Sequence, residues 1–225
     1  CLYRRILVAV NDIVQARIKE YHAKELQKWE DSIPLSLRGY DYDELMDNNW
    51  NGKISNISRN KVINYIKDPT PFLLLHGGSG LGKTIMGVEI IKKLISEEKI
   101  TSAIYMDTPT LLHEMSYSDH KQDLLRKTTH PDLLLLDDVG AGSTEMTPTR
   151  KSGVWSIINK RWTDGKKTII TTNLPITSQN NVTGLQDWFG ISAWDRISDN
   201  LTDVIFKGNS MRGNASRSRR SNIVD

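Results

Sequence analysis

From residue 72 onward, short apolar runs alternate with longer stretches in which apolar side chains recur every three or four positions. The short runs are FLLLH at 72–76, SAIYM at 102–106, LLLLD at 133–137, KTIITT at 167–172 and DVIFK at 203–207. Between them, residues 83–96, pieces through about 128, and 152–162 carry the helical period. Continuous apolar strands separated by amphipathic helices predict a parallel sheet covered by helices on both faces. The expected fold is α/β, with five parallel strands.

Upstream, residues 4–29 read as one helix, with Leu7, Val10, Val14, Ile18 and Tyr21 on a stripe and Arg17, Lys19, Glu20 and Lys24 off it. The stripe either docks a partner or packs on the chain's own core. Pro34 and Gly39 then break the pattern, and SIPLSLRGYDYDELMDNN reads as a loop-rich connector. SRNKVINYIKD is a short helix stopped by Pro69. The division expected is a helical arm over 1–32, a domain over 33–213 and a basic tail over 214–225.

Composition narrows the class. A chain of 225 residues, 38% hydrophobic and 25% charged, suits one soluble domain with an appended arm. Its apolar runs fall far short of the roughly 20 residues that span a bilayer, and RRILVAV lacks the cleavage pattern of a secretory signal. The single cysteine, Cys1, excludes an internal disulfide or a cysteine-based zinc site. A cytoplasmic protein without a membrane partner is the default expectation. The chain opens on Cys1 rather than methionine, which leaves room for a preceding module. The net charge of +3 is unevenly placed, since RGNASRSRRSNIVD holds four arginines against one aspartate. Such a tail is expected to be disordered, either touching phosphates or simply solvated.

GGSGLGKT at 77–84 fits the phosphate-loop pattern G-x-x-x-x-G-K-[ST] without a mismatch, and it stands between an expected strand and an expected helix. Glycines let backbone N–H groups curl around phosphate oxygens, and the following helix N-terminus adds positive character. The nucleotide-contacting set is Gly78, Ser79, Gly80, Leu81, Gly82, Lys83, Thr84 and Ile85. Lys83 is expected to reach the β- and γ-phosphates of ATP, with the Thr84 hydroxyl on Mg²⁺. The plainer reading is a structural turn.

HPDLLLLDDVG places Asp137 and Asp138 where a buried strand ends. Unpaired carboxylates beside four leucines are costly to bury, but opposite a phosphate loop they have a use. Asp137 is expected to hold Mg²⁺ and Asp138 to orient the attacking water. SAIYM supplies an additional strand between the two motifs, which argues against a simple nucleotide kinase. The alternative is an acidic loop at a strand end. KTIITTNLP is a third buried run, ending in Thr172 and Asn173. Alone, Asn173 reads as opening the turn before Pro175; beside the two motifs it reads as a sensor of the γ-phosphate or the attacking water.

The order HGGSGLGKT, DLLLLDDVG, WSIINKRW, TIITTNL, DRI and FKGNSMR resembles AAA+ ATPases of the bacterial and phage helicase-loader type, DnaC and DnaI, and the IstB-type transposition ATPases share it. The resemblance covers roughly residues 33–213, with IPLSLRGYDYDEL similar to the segment that precedes the ATPase core. It implies that Asp138 stands where a catalytic glutamate is usual and that Asn173 is the first sensor. Arg196, in WDRI, falls on the arginine that enters a neighbouring subunit's ATP site, and Arg212, in GNSMR, on the second sensor. Few residues follow Arg212, so no full helical lid is expected. The chemistry agrees, because a planar guanidinium stays charged and contacts phosphate bidentately. The alternative for either arginine is a surface ion pair, for example with Asp195, Asp199 or Asp203.

The resemblance also implies partners. The insertion TPTLLHEMSYSDHKQDLLRKTTH falls where the family contacts DNA, with Tyr117, Lys121, Arg126 and Lys127 able to meet a single strand. Glu114, Asp119 and Asp123 among them equally suit a solvated helix face. The N-terminal stripe falls where loaders engage a DnaB-type replicative helicase, and self-association into an ATP-dependent spiral is expected. Trp155 and Trp162 share one helical face and are expected in the core. The function implied is ATP-dependent loading of a replicative helicase onto single-stranded DNA, with binding driving assembly and hydrolysis driving release. The alternatives are an IstB-type ATPase that assembles on duplex DNA and recruits a transposase, a small-molecule kinase, and an adaptor that binds ATP without turnover.

Overall fold

The computed structural model describes residues 2–47, 49–116, 121–142 and 146–210. All five apolar runs are strands: β1 (Phe72–Gly77), β2 (Ala103–Asp107), β3 (Leu133–Val139), β4 (Lys167–Thr172) and β5 (Leu201–Phe206). They pair in parallel in the order β2-β3-β4-β1-β5. The strand lying between the phosphate-loop strand and the acidic strand is therefore β4, while SAIYM forms the edge beyond β3.

Alternation along each strand builds two cores. Leu73, Leu75, Leu133, Leu135, Ile169 and Val204 face one side with α4 (Asn56–Lys67) and α5 (Lys83–Ser96). Phe72, Leu74, Leu134, Leu136 and Ile170 face the other. There they meet α6 (Thr108–Glu114), α7 (Lys121–Thr129), α8 (Pro148–Thr163), α9 (Leu185–Phe189) and α10 (Ile191–Asp199). A strand buried on both faces needs no polar alternation, which is why four consecutive leucines read as a strand here.

Elsewhere the structure differs from the pattern in detail. The connector is not all loop: a 3-10 turn at Leu35–Leu37 precedes two short helices, α2 (Tyr42–Asp47) and α3 (Asn49–Gly52). The helix α8 starts four residues before position 152, because Thr147 accepts from Arg150 N and Pro148 occupies the first turn, where no N–H is needed. The helices α9 and α10 carry too few periods to stand out in the sequence.

The N-terminal helix, α1, runs Leu2–Ser32. Its C-terminal end is anchored, with Trp29 and, just past the helix, Ile33 buried beside α5. Most of the stripe is not: Leu7, Val10, Val14 and Tyr21 are 46–52% exposed, and Ile18 alone among the five is half-buried. Packing of that stripe on the chain's own core is thus overturned, since only the C-terminal end of α1 reaches the sheet layer. Among the described residues no helix is long and apolar enough to cross a membrane. The tail over 214–225 lies outside the described residues.

Candidate active site

The strand β1 turns into the loop at Gly77, whose φ is +138°. A Cβ there would sit 2.2 Å from the carbonyl oxygen of Phe206, because β5 runs directly alongside. Only glycine fits this approach. Gly78, Ser79, Gly80 and Leu81 continue the turn, and Gly82, with φ +85°, starts α5 without a side-chain cap. The first N–H groups of α5 therefore have no capping side chain competing for them, the arrangement that favours an anion at a helix start. Thr84 and Ile85 sit in its first turn, half-buried.

Lys83 is buried, and its Nζ donates to the carbonyl oxygens of Gly77 (3.1 Å) and Gly78 (2.6 Å) and to Asn173 Oδ1 (2.7 Å). Asn173 is thus brought against the lysine. The turn before Pro175 is handled instead by Thr172, whose hydroxyl donates to Val139 O and accepts from Leu174 N.

Asp137 collects three hydroxyl groups. Thr84 Oγ1 donates to its Oδ1 at 2.8 Å, Thr171 Oγ1 to the same oxygen, and Tyr105 Oη to its Oδ2 at 2.9 Å. Burial holds the Asp137 carboxyl above the usual carboxylate range, with the Asp138 charge adding to it, while the hydroxyl bonds oppose the rise. Burial and the adjacent Asp137 charge push the Tyr105 phenol upward as well. Thr84 and Asp137 form a hard-oxygen pair of the kind Mg²⁺ takes alongside nucleotide phosphates. Among the described residues no group of three or more His, Cys, Asp or Glu could hold a metal by itself. The protein's oxygens thus fit a cation shared with phosphate.

Asp138 lies where the β3–β4 register shifts between Leu136 and Val139, and its φ is +52°. This left-handed backbone turns its side chain out of the strand's alternation, and Asp138 N is tied to Thr171 Oγ1 at 2.9 Å. Adjacent carboxylates thus acquire different settings: Asp137 buried in a hydroxyl cage, Asp138 half-exposed at the bulge.

Arg196, on α10, lies apart from this network. Its Nε donates to Asn159 Oδ1 (2.6 Å), its Nη1 to Ser192 O (2.8 Å), and its guanidinium lies over the rings of Trp162 (5.5 Å) and Trp155 (5.8 Å). An ion pair with Asp195, Asp199 or Asp203 is not what holds it, and Asp203 accepts instead from Lys61. Trp155 and Trp162 are 37% and 42% exposed, so their placement in the core is corrected. They share a face of α8, but it is the face turned toward α10 and solvent, while Val154, Ile157 and Ile158 supply the core. Arg212 lies outside the described residues, as does Tyr117. Lys121, Arg126 and Lys127 are exposed on α7, where Arg126 pairs with Asp123 at 3.5 Å.

Tyr105 and Thr171 are site residues that motif reading passes over. Strand order would have found Tyr105: it pairs with Leu135, and Asp137 is two residues on, on the same face.

In sequence, residues 34–219 match the family model of the IstB-like ATP-binding proteins. Among curated proteins none matches the chain. In structure, the chain is similar to DnaI (18% identity, 81% of this chain and 98% of that one, TM-score 0.61). It is also similar to the DnaC helicase loader (22%, 69% and 97%, TM-score 0.53). A third likeness is to the replication initiator DnaA bound to AMPPCP and single-stranded DNA (15%, 81% and 56%, TM-score 0.54). These identities speak for the fold, and the family model for the nucleotide: the chain belongs to the IstB-like ATP-binding protein family and is an ATPase with the P-loop AAA+ fold.

Proposed function

We propose that this ATPase loads a DnaB-type replicative helicase onto single-stranded DNA, working as an assembly of several copies. The observation that carries the proposal is the separation of its charges. Lys83 bonds Asn173 and Thr84 bonds Asp137, while Arg196 on α10 is held by Asn159 and Ser192, partners that neither pair touches. An arginine so displayed suits a neighbouring copy's phosphates better than its own.

Lys83 binds the β- and γ-phosphates, Thr84 and Asp137 hold the Mg²⁺ that comes with ATP, and Asp138 orients the attacking water. Asn173 senses the γ-phosphate, Arg196 stabilises the charge on the transferring phosphoryl group in trans, and Arg212 contacts nucleotide in its own subunit. Held there, Mg²⁺ would supply neutralisation of phosphate charge. The exposed stripe of α1 docks the helicase, and α7, through Lys121, Arg126 and Lys127 with Tyr117 just before it, meets the single strand. ATP acts as a switch, its energy expressed as different affinities of two states for helicase and DNA. The arm over 1–32 and the tail over 214–225 then lie outside the ATPase domain.

The family match favours a second reading, an IstB-type ATPase that assembles on duplex DNA and recruits a transposase. Binding tests separate them: a loader prefers single strands and co-elutes with the helicase in ATP, whereas the alternative prefers duplex. Trans action is tested by mixing Lys83→Ala with Arg196→Ala protein. Each is inactive alone, and the mixture regains part of the rate at mixed interfaces; a silent mixture counts against trans action.

A further inference from the structure

Trp155, Asn159 and Trp162 stand at i, i+4 and i+7 on α8, so all three share one stripe. An exposed indole is an unusual use of the largest apolar side chain, and here two of them flank one cation. The guanidinium lies over both rings within the range of a cation–π contact, and Asn159 fixes its Nε. Ser192 O, one turn back on α10, takes Nη1. The third nitrogen, Nη2, makes no hydrogen bond among the described residues. A free arginine has many rotamers to lose on binding. Here much of that order exists before any partner arrives, and an ordered donor loses less on association.

We infer that Trp155, Asn159 and Trp162 form a cradle that presets Arg196 for a second copy of this chain, and that the two indoles are covered when that copy docks. They are positioning residues: they act through the arginine and touch no reacting atom. The inference deepens the trans reading of Arg196 and rests on it. The partner is committed by chemistry, because a cation ringed by apolar surface fits a phosphate-bearing cleft with a protein rim. The outward donor meets the phosphates while the indoles meet the rim.

The test uses the full chain and three variants: Arg196→Ala, the pair Trp155→Leu with Trp162→Leu, and the pair Trp155→Phe with Trp162→Phe. Leucine keeps apolar bulk without a ring face; phenylalanine keeps the face. Hydrolysis per subunit is followed against protein concentration, nucleotide affinity by a fluorescent ATP analogue, and folding by thermal melting. The leucine pair should lower concentration-dependent hydrolysis about tenfold, two ring contacts combined, and the phenylalanine pair should stay within about threefold of the parent. Both pairs should bind nucleotide and melt like the parent, since the indoles are exposed. Acrylamide quenching of tryptophan emission should also fall when ATP drives association, because of the six tryptophans only Trp155 and Trp162 are exposed, with Trp29, Trp50 and Trp188 buried and Trp194 half-buried against the core.

A leucine pair that turns over at the parent rate while Arg196→Ala is inactive overturns the cradle and leaves the trans reading intact. Equal losses in the leucine and phenylalanine pairs, with lowered melting, mark the indoles as merely structural. Quenching that ATP leaves unchanged refutes their burial at an interface. If Arg196→Ala hydrolyses normally, or if the parent's rate per subunit is independent of concentration, the trans reading itself falls and the cradle falls with it.

Discussion

One helix, α8, shapes two arginine environments that could hardly differ more. Arg161, near its C-terminal end, is fully buried and spends its donors on the fold. It bonds the carbonyl oxygens of Thr128, Pro131, Asp132 and Lys167 and the Thr168 hydroxyl, tying the end of α7 to the starts of β3 and β4. Burial pulls its pKa down to about 10, still charged at neutral pH. Arg196 is held by two hydrogen bonds and two ring faces at the surface, with an edge to spare. The same contrast separates Asp137, caged by hydroxyls, from Asp138, raised on a bulge. Charges consumed by the fold give stability; charges held but not consumed are available for chemistry.

The strongest way to break this contrast is at the arginines. Arg161→Ala should cost on the order of 3–5 kcal/mol, since several buried carbonyls lose their donor together. Arg196→Ala should cost less, on the order of 1 kcal/mol, since a half-buried guanidinium gives up two hydrogen bonds and two ring contacts. Chemical denaturation of both variants decides it, and reversed values would sink the distinction.

The acidic pair comes next. Asp138→Asn should fold and bind ATP normally, because asparagine tolerates the left-handed backbone that φ +52° demands. Its hydrolysis should drop roughly 100-fold or more if the carboxylate orients water. Undiminished turnover would return Asp138 to a structural acid at a strand end.

Glu89 sharpens the comparison from inside the core, as a buried charge only partly compensated. Burial raises its carboxyl to about 7 against the pull of Lys92 at 3.1 Å, with Asp41 and Glu30 adding to the rise. A carboxyl raised in the fold contributes stability that is full below its unfolded value of 4.5 and is lost as pH climbs through about 7. Glu89→Gln should therefore match the parent near pH 4 and exceed it at pH 8 by on the order of 2 kcal/mol. Thermal melts across that window give the answer, and a parent as stable as the variant at pH 8 would refute it.

The smallest effect is expected at Tyr105. Tyr105→Phe removes one donor from the Asp137 cage and should weaken Mn²⁺ binding with a nonhydrolysable ATP analogue about fivefold, one hydrogen bond's worth. Paramagnetic titration reads it directly. No change would mean that Thr84 and Thr171 suffice to orient the carboxylate.

What could be read in advance follows from how local each cause is. The helix predicted over 83–96 spans Lys83–Ser96, and the strand predicted over 167–172 spans Lys167–Thr172. In both cases the boundaries are set by neighbouring residues, a glycine turn and an apolar run. The approach of Asn173 to Lys83 needed only the order of two motifs on adjacent strands. Tyr105 was missed because its contact depends on β2 pairing with β3 in a particular register, which no local pattern encodes. Trp155 and Trp162 were misjudged for a related reason: periodicity puts them on one face but does not say which face is inside.

By itself the sequence determined the alternation of strands and helices, the phosphate loop and the acidic strand end, because each rests on backbone preference or on chemistry within a few residues. Tertiary structure alone decided the sheet order with β4 between β1 and β3, the hydroxyl cage around Asp137, and which arginine the interior would claim. Those outcomes depend on contacts between residues distant along the chain, such as Arg196 with Asn159 and Tyr105 with Asp137. Their energies exist only once the packed cores have brought the partners within reach.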